Sequence, residues 1–291
     1  MRSNPPVREL RVPHALQRMR MAATSRYLAD LGRRHLREGL PQLATFAFDH
    51  VGRAITIWGR YEREELELLM AATAPLLARD GVCLDVGANI GNHAVFFADH
   101  FGTVLAFEPN PRCFALLQIN AALKDNIECF CVGLSDADGH ATLNVPPGNA
   151  GMASLAGSPA AGGAAVICEL RRLDGLQALA SRRVAMIKID VEGHEPEVLR
   201  GARELLRRER PVVVFEQSAE AIVDGSSESI DLLRGAGYSR FWAVEHRPAS
   251  GSRLLDLALR LLVGERLRLV ECGRFEKRFH SMIVALPTAA G

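Results

Sequence analysis

The sequence predicts an α/β fold built on a mostly parallel sheet, and three observations carry that prediction. The first is the run Val82-Cys83-Leu84-Asp85-Val86-Gly87-Ala88-Asn89-Ile90-Gly91-Asn92, followed by Leu105-Ala106-Phe107-Glu108. It reads as a strand, a glycine turn, a helix and a second strand ending in an acid, the first half of a nucleotide-binding unit. The second is the alternation, from residue 82 onward, of short apolar runs with stretches of helical spacing. The third is where the acids fall. Asp85, Glu108, Ser135-Asp136, Asp190 and Glu216 each stand at the end of an apolar run, and ligands of open parallel sheets sit outside the carboxyl ends of the strands.

The elements follow in order. Residues 1–40 hold nine arginines against three acids, and Leu16, Met19, Ala23, Tyr27, Leu28 and Leu31 recur at helical spacing. This predicts a basic helix packed on the main domain with a solvated charged face; contact with a membrane surface or an acidic partner is the alternative. Residues 45–60 read as a short hairpin around Gly52. Glu64 to Leu77 reads as a helix, with Leu66, Leu69, Met70, Thr73 and Leu77 on one face. Strands are predicted at Val82–Val86, Val104–Phe107, Ile127–Leu134, Val166–Leu170, Val184–Ile189, Val212–Phe215, Ser239–Val244 and Phe279–Leu286, and helices at Asn92–His100, Pro111–Leu123 and Glu195–Arg207. Pro111 suits a first helical turn. Residues 146–165, rich in Gly, Ala, Pro and Ser, form a long loop of the kind that is usually functional. Leu254–Val263 is an apolar segment, expected as a helix packed on the domain. The boundaries are a helical N-terminal extension with its hairpin over 1–78 and a main domain over 79–291, with an insertion at 247–274.

Bulk properties exclude several classes. A net charge of +1 with 48% hydrophobic and 24% charged residues gives no electrostatic footprint for nucleic acid. The six cysteines form no CxxC pair and read as reduced, buried thiols. No apolar stretch approaches the ~18 residues of a membrane span, and Met1 to Leu10 lacks the apolar core of a signal peptide. A cytoplasmic location is the expectation.

The glycine turn also indicates the ligand. A dinucleotide site uses G-x-G-x-x-G with the pyrophosphate on the helix N-terminus. Here the pattern is Asp85-x-Gly87-x-x-x-Gly91, with Asn89 at the middle glycine position. A carboxylate before the turn repels a diphosphate and suits a ligand carrying an ammonium and a sulfonium, which describes S-adenosylmethionine (SAM). Gly87, without a Cβ, permits the sharp turn and close approach of a ligand. Glu108, 17 residues after Gly91, is placed to accept hydrogen bonds from two ribose hydroxyls.

The segment Lys188-Ile189-Asp190-Val191-Glu192-Gly193-His194-Glu195 holds the densest chemistry. Asp190, Glu192 and His194, with Glu216 nearby, suit either a divalent metal through O and N ligands or a base that deprotonates a hydroxyl. Glu195 reads as a cap of its own helix, and Lys188 as an ion-pair partner.

Taken together, these segments resemble the FkbM-type family of SAM-dependent methyltransferases. The resemblance rests on Asp85 to His93, Phe107 to Pro111, Lys188 to Glu195 with Val198 to Gly201, and Arg210-Pro211 leading to Glu216. Gly59-Arg60-Tyr61-Glu62 and Gly151 to Leu155 also resemble family features. The resemblance spans about residues 48–245. It implies a Rossmann-like class I methyltransferase sheet of seven strands with an antiparallel last strand, and O-methylation of sugars or secondary-metabolite hydroxyls.

Within that frame Asp85, Gly87 and Asn89 are expected at the methionine part of SAM, with Gly91 and Asn92 completing the turn. Glu108 is expected at the ribose, Ser135 and Asp136 near the adenine, and Asp190 beside the transferring methyl. His194 or Glu192 is expected to take the hydroxyl proton, Glu216 to orient it, and the 146–158 loop, with Asn149 and Ser154, to cover the acceptor. The absence of a basic cluster at the strand ends disfavours a phosphorylated acceptor. A glycan hydroxyl is therefore expected, with a polyketide or other secondary metabolite as the alternative. A nicotinamide oxidoreductase, a non-catalytic SAM-binding module and a nucleic-acid methyltransferase are the rivals.

Overall fold

The computed structural model describes residues 14–47, 49–78, 80–146, 154–155, 163–247 and 266–288. The Leu254–Val263 segment and Asn149 lie outside the described residues. Among the described residues eleven strands are present: β1 (Val82–Val86), β2 (Thr103–Phe107), β3 (Ile127–Phe130), β4 (Gly133–Leu134), β5 (Gly139–Val145), β6 (Ala164–Arg171), β7 (Val184–Ile189), β8 (Val212–Gln217), β9 (Tyr238–Arg247), β10 (Arg266–Glu271) and β11 (His280–Pro287). The α-helices are α1 (Ala15–Arg37), α2 (His50–Trp58), α3 (Arg63–Thr73), α4 (Asn92–Phe97), α5 (Pro111–Ala121), α6 (Glu195–Gly201), α7 (Arg203–Glu209) and α8 (Glu228–Gly235).

The main sheet has eight strands in the order β10-β9-β11-β8-β7-β1-β2-β3. Strands β3, β2, β1, β7 and β8 run parallel, and the last strand, β11, lies antiparallel between β8 and β9. Seven strands and the reversed last one match the expectation. The eighth, β10, comes from the expected insertion and pairs antiparallel with β9 along its whole length. The chain leaves β1 toward β2 and β3 on one side, then returns to β7 on the other. The gap outside β1, β2 and β7 is thus the switch point at which ligands of such sheets bind.

Alternation along β1 divides the core into two layers. Val82, Leu84 and Val86 pack with β7, β8, α6, α7 and α8 residues such as Ile187, Val213, Val198, Leu205 and Ile230. Cys83 points the other way, toward Leu66 and Leu69 of α3 and Ala94 and Phe97 of α4. All five β1 residues are buried, as expected for a central parallel strand covered on both faces.

Five expectations are corrected. Residues 45–60 form no hairpin. Asp49 caps α2 by accepting from Gly52 N at 2.5 Å, and Gly59, with φ 79°, ends it. Gly52 is there because a Cβ would lie 2.4 Å from the Phe46 carbonyl oxygen; it marks packing, not a turn. The 127–134 run is two strands. Its first half joins the main sheet, while Gly133–Leu134 joins a second, three-stranded sheet, β4-β6-β5. Strand β5, which pairs with β6, was not expected at all, because Gly139 to Val145 mixes polar and small residues. The 195–207 helix is broken at Ala202: the Asp174 carboxylate accepts from Glu204 N at 3.0 Å and Leu205 N at 2.8 Å, starting α7 afresh.

The fourth correction concerns α1. It is a helix, but only Leu31 of it is buried. Leu16, Met19, Tyr27 and Leu28 of the expected packing stripe are exposed. Among the described residues no helix is long and apolar enough to cross a membrane. The six cysteines are free, and Cys131 is exposed where burial was expected.

Candidate active site

The turn after β1 sets the site. Gly87, at φ 76°, hydrogen-bonds through its N–H to the Phe107 carbonyl at 3.0 Å. A Cβ on Gly87 would stand 1.8 Å from the Asp190 carbonyl oxygen, so this glycine lets the ends of β1 and β7 close on each other. Asn89 takes φ 51°, a conformation tolerated by asparagine. Its N–H donates to Glu108 Oε2 at 2.8 Å. Glu108 Oε1 accepts from Asn110 N at 2.8 Å. Burial raises the Glu108 carboxyl to a pKa of about 7, against the lowering effect of the Asn110 and Asn89 amides.

Register explains the charges at the next strand. Asp85 of β1 faces Lys188 of β7, with Nζ 3.4 Å from Asp85 Oδ1 and 3.2 Å from Asp190 Oδ2. Burial works against the ammonium, but Asp190 and Asp85 outweigh it and hold the Lys188 pKa above its ordinary value. Asp190 also hydrogen-bonds to Glu216 of β8. Burial and the neighbouring Asp190 charge push Glu216 up. Burial acts to raise Asp190 too, yet Lys188 and the Glu216 hydrogen bond hold it low. The two hydrogen-bonded carboxyls are thus pushed apart, Glu216 up and Asp190 down.

These groups border a cavity of about 240 Å³ at the carboxyl ends of β1, β2, β7 and β8. Gly87, Asn89, Glu108, Lys188, Asp190, Glu192, His194 and Glu216 line it. The opposite wall comes from the N-terminal segment and α4: His50, Tyr61, Glu62 and His93. Tyr61 stacks on His93 at 6.2 Å between ring centroids, and His93 Nε2 lies 3.3 Å from Glu62 Oε2. Glu62 holds φ 55°, strain that a rigid surrounding must maintain. Apolar side chains, among them Phe97, Phe107, Leu143, Leu155, Phe215 and Met282, fill the rest. Ser154 donates to the Glu192 carbonyl at 2.9 Å; of the 146–158 loop expected to cover the acceptor, residues 147–153 and 156–158 lie outside the described residues.

Some expected residues stand behind the lining. Asp85 is fully buried, and neither of its oxygens accepts a hydrogen bond among the described residues. Gly91 closes against Leu117, its Cβ position 2.8 Å from that side chain. The Asn92 amide is engaged with Tyr61, accepting from its N–H at 3.1 Å and donating to its carbonyl at 3.0 Å; it fixes the wall. Ser135 and Asp136 do not reach the cavity, whose edge here is Val132, Gly133 and Leu134, because the break after β3 turns the chain into the second sheet. Ser135 Oγ instead meets His194 Nε2 at 2.9 Å, and Asp136 is exposed.

His194 is held at both ring nitrogens, by Ser135 and by Glu197 Oε2 at 3.5 Å from Nδ1. Burial lowers its pKa, so it is a neutral, oriented ring. Burial and the Asp190 charge raise Glu192. Glu195 accepts from Val191 N and Gly193 N at 3.3 and 3.1 Å; it braces the loop before α6, whose N-cap is His194, where a cap of its own helix was expected. Among the described residues no three His, Cys, Asp or Glu side chains converge to hold a metal. In the 190–194 segment His194 Nε2 meets Ser135 Oγ. Sequence reasoning took Lys188 only as an ion-pair partner, although its alternation with Asp190 puts both on one strand face, and it noted Tyr61, Glu62 and His93 as family features without joining them into a wall, which only long-range folding brings to the turn.

The chain is similar to known methyltransferases. The methyltransferase FkbM domain model matches residues 85–240. Hexuronic acid methyltransferase AglP of Haloferax volcanii is 31% identical over 162 residues, covering 53% of this chain and 62% of that protein. Methyltransferase sdnD of Sordaria araneosa is 30% identical over 155 residues, covering 42% of this chain and 60% of that protein. The chain thus spans about three fifths of the length of these two relatives. The crystal structure of methyltransferase FkbM from Methylobacillus flagellatus superposes with a TM-score of 0.41 at 16% identity, covering 89% of this chain and 60% of that one. With more than half its length inside the family's domain, the chain belongs to the FkbM methyltransferase domain family.

Proposed function

We propose that this protein transfers a methyl group from SAM to a hydroxyl of a sugar in an oligosaccharide or glycolipid. The observation that carries the reading is the switch-point cavity, whose polar groups are a buried carboxyl at one end, Glu108, and a proton-sharing carboxyl pair at the other, Asp190 and Glu216. The residues present fit SAM. Asn89 Oδ1 is buried with no hydrogen-bond partner among the described residues, and Glu108 has acceptor capacity beyond its two amides. Glu108 would hold the ribose, Asn89 and Gly87 the methionine end, and Val132 to Leu134 with Phe107 would form the apolar wall for the base. Bound there, SAM supplies an electrophilic methyl carbon.

The chain's own part is to orient the acceptor hydroxyl and remove its proton. Asp190, charged and beside Glu216, is the group placed to accept a hydrogen bond from that hydroxyl. Lys188 keeps Asp190 ionised. His194 orients the 190–194 turn through Ser135, and Glu192 is a second acceptor at the rim. Carboxylates without a free basic cluster suit a neutral hydroxyl. The similarity to a hexuronic acid methyltransferase supports a sugar acceptor, while the apolar wall of Leu143, Leu155 and Met282 favours a secondary-metabolite hydroxyl as the second reading. Methyl-labelled SAM incubated with purified sugar, glycolipid and polyketide alcohols tests this. Label in a sugar hydroxyl supports it; transfer to a polyketide alcohol and to no free or lipid-linked sugar overturns the acceptor assignment.

A further inference from the structure

We propose that α1 docks the protein on the surface of an anionic lipid bilayer. A helix of 23 residues is about 35 Å long, and this one buries a single side chain, Leu31, near its anchored end. That end is fixed by the Glu38–Arg63 ion pair at 2.7 Å and by Gly59, whose Cβ position lies against Leu40 and His35. The preceding turns expose Leu16, Met19, Met21, Tyr27 and Leu28 at 43–69% of their full area. Scattered exposed apolar residues are ordinary; several large ones on the outer turns of one helix mark an interaction surface.

Charge selects the occupant. Six arginines lie on α1 with Asp30 as its one acid; Asp30 pairs with Arg33, and Arg18, Arg20 and Arg26 project with no acidic partner among the described residues. At 100° per residue, Leu16, Met19, Ala23 and Tyr27 fall within about 80°, and Arg20 and Arg26 stand at the two borders of that stripe. This is the arrangement by which a helix lies in a lipid interface, its apolar face among acyl chains and its arginines reaching up to phosphates. A second copy is disfavoured, since pairing two α1 helices would bring like charges together. An RNA backbone matches the arginines but leaves the apolar stripe uncovered. The helix leads into α2, whose His50 and Val51 line the cavity, so the docked surface and the site are one helix apart. The inference is independent of the methyl-transfer reading.

Co-sedimentation of the full chain with sucrose-loaded vesicles tests it. Binding is expected to vesicles with about 30% phosphatidylglycerol and not to pure phosphatidylcholine, weakening as salt rises from roughly 0.05 to 0.3 M. Replacing Arg18, Arg20 and Arg26 together by Glu is expected to lower partitioning by roughly 100-fold or more, at about five-fold per charge. Replacing Leu16, Met19 and Tyr27 by Ser is expected to lower it roughly ten-fold at unchanged charge. An unchanged thermal midpoint in each variant establishes that the fold is intact. Equal binding to both vesicle types, or binding that survives both sets of substitutions, overturns the proposal. So does an α1-dependent dimer without vesicle binding, or tighter binding to an RNA homopolymer than to anionic vesicles.

Discussion

Glu108 is a carboxyl wedged between two backbone amides, and it should leave a mark on stability as well as binding. Its folded pKa of about 7 lies above the ordinary 4.5. The stability it contributes is therefore full below about pH 4.5 and is lost as pH rises through 7. In the ligand-free chain, urea unfolding from pH 5 to 8 should shift the difference between Glu108→Gln and wild type by about 1–3 kcal/mol, in favour of the variant at the alkaline end. A pH-independent difference would contradict the burial assigned here. The Asp190–Glu216 pair gives a second residue-scale expectation. On an acceptor that turns over, Glu216→Gln or Asp190→Asn should reduce kcat by roughly 10²–10⁴, with SAM affinity held within about two-fold for Glu216→Gln. His194→Gln, a positioning change, should cost less. If His194→Gln proved the more damaging of the two, proton removal would belong to the histidine.

At the scale of elements, two glycines hold the site's frame together by close contact. A Cβ on Gly87 would meet the Asp190 carbonyl oxygen at 1.8 Å, and one on Gly201 the Ser135 carbonyl oxygen at 1.9 Å. Neither neighbour is a flexible side-chain tip. Ala at either position should destabilise the fold by about 1–3 kcal/mol or more, most at Gly87, where φ is positive as well; urea midpoints within error of wild type would refute both contacts. The buried strands β1, β7 and β8 were legible in the sequence because a strand covered on both faces must be a continuous apolar run ending where the ligand crevice begins. Their terminal acids, Asp85, Asp190 and Glu216, were legible for the same reason. The second sheet was not, since β5 is half exposed and carries no alternation strong enough to distinguish it from a loop. The helix break at Ala202 depends on Asp174, a residue 28 positions earlier that local spacing cannot see. The Gly52 segment misled for a related cause: glycine signals a turn in the chain and a tight contact alike, and only the fold separates them.

For the whole molecule, the sheet order places a cavity where the chain reverses its direction of winding, and the apolar runs carrying Asp85, Glu108, Asp190 and Glu216 converge near it, while Ser135 and Asp136 stand outside it. Compensation distinguishes this arrangement from a mere accumulation of carboxylates. The one ammonium of Lys188 is shared between Asp85 and Asp190, two backbone amides serve Glu108, and burial beside Asp190 pushes Glu216 up. Hydrogen-bond capacity is left over at Asn89 Oδ1 and along the carboxyl edge, and that capacity is what a nucleoside and a hydroxyl would take up. Titration calorimetry of the full chain with S-adenosylhomocysteine and SAM tests this account most directly. It predicts one site of micromolar affinity, weakened by about 1.5–3 kcal/mol in Glu108→Ala and nearly unchanged in Glu216→Gln. No binding by the wild-type chain, or equal affinity in wild type and Glu108→Ala, would contradict it.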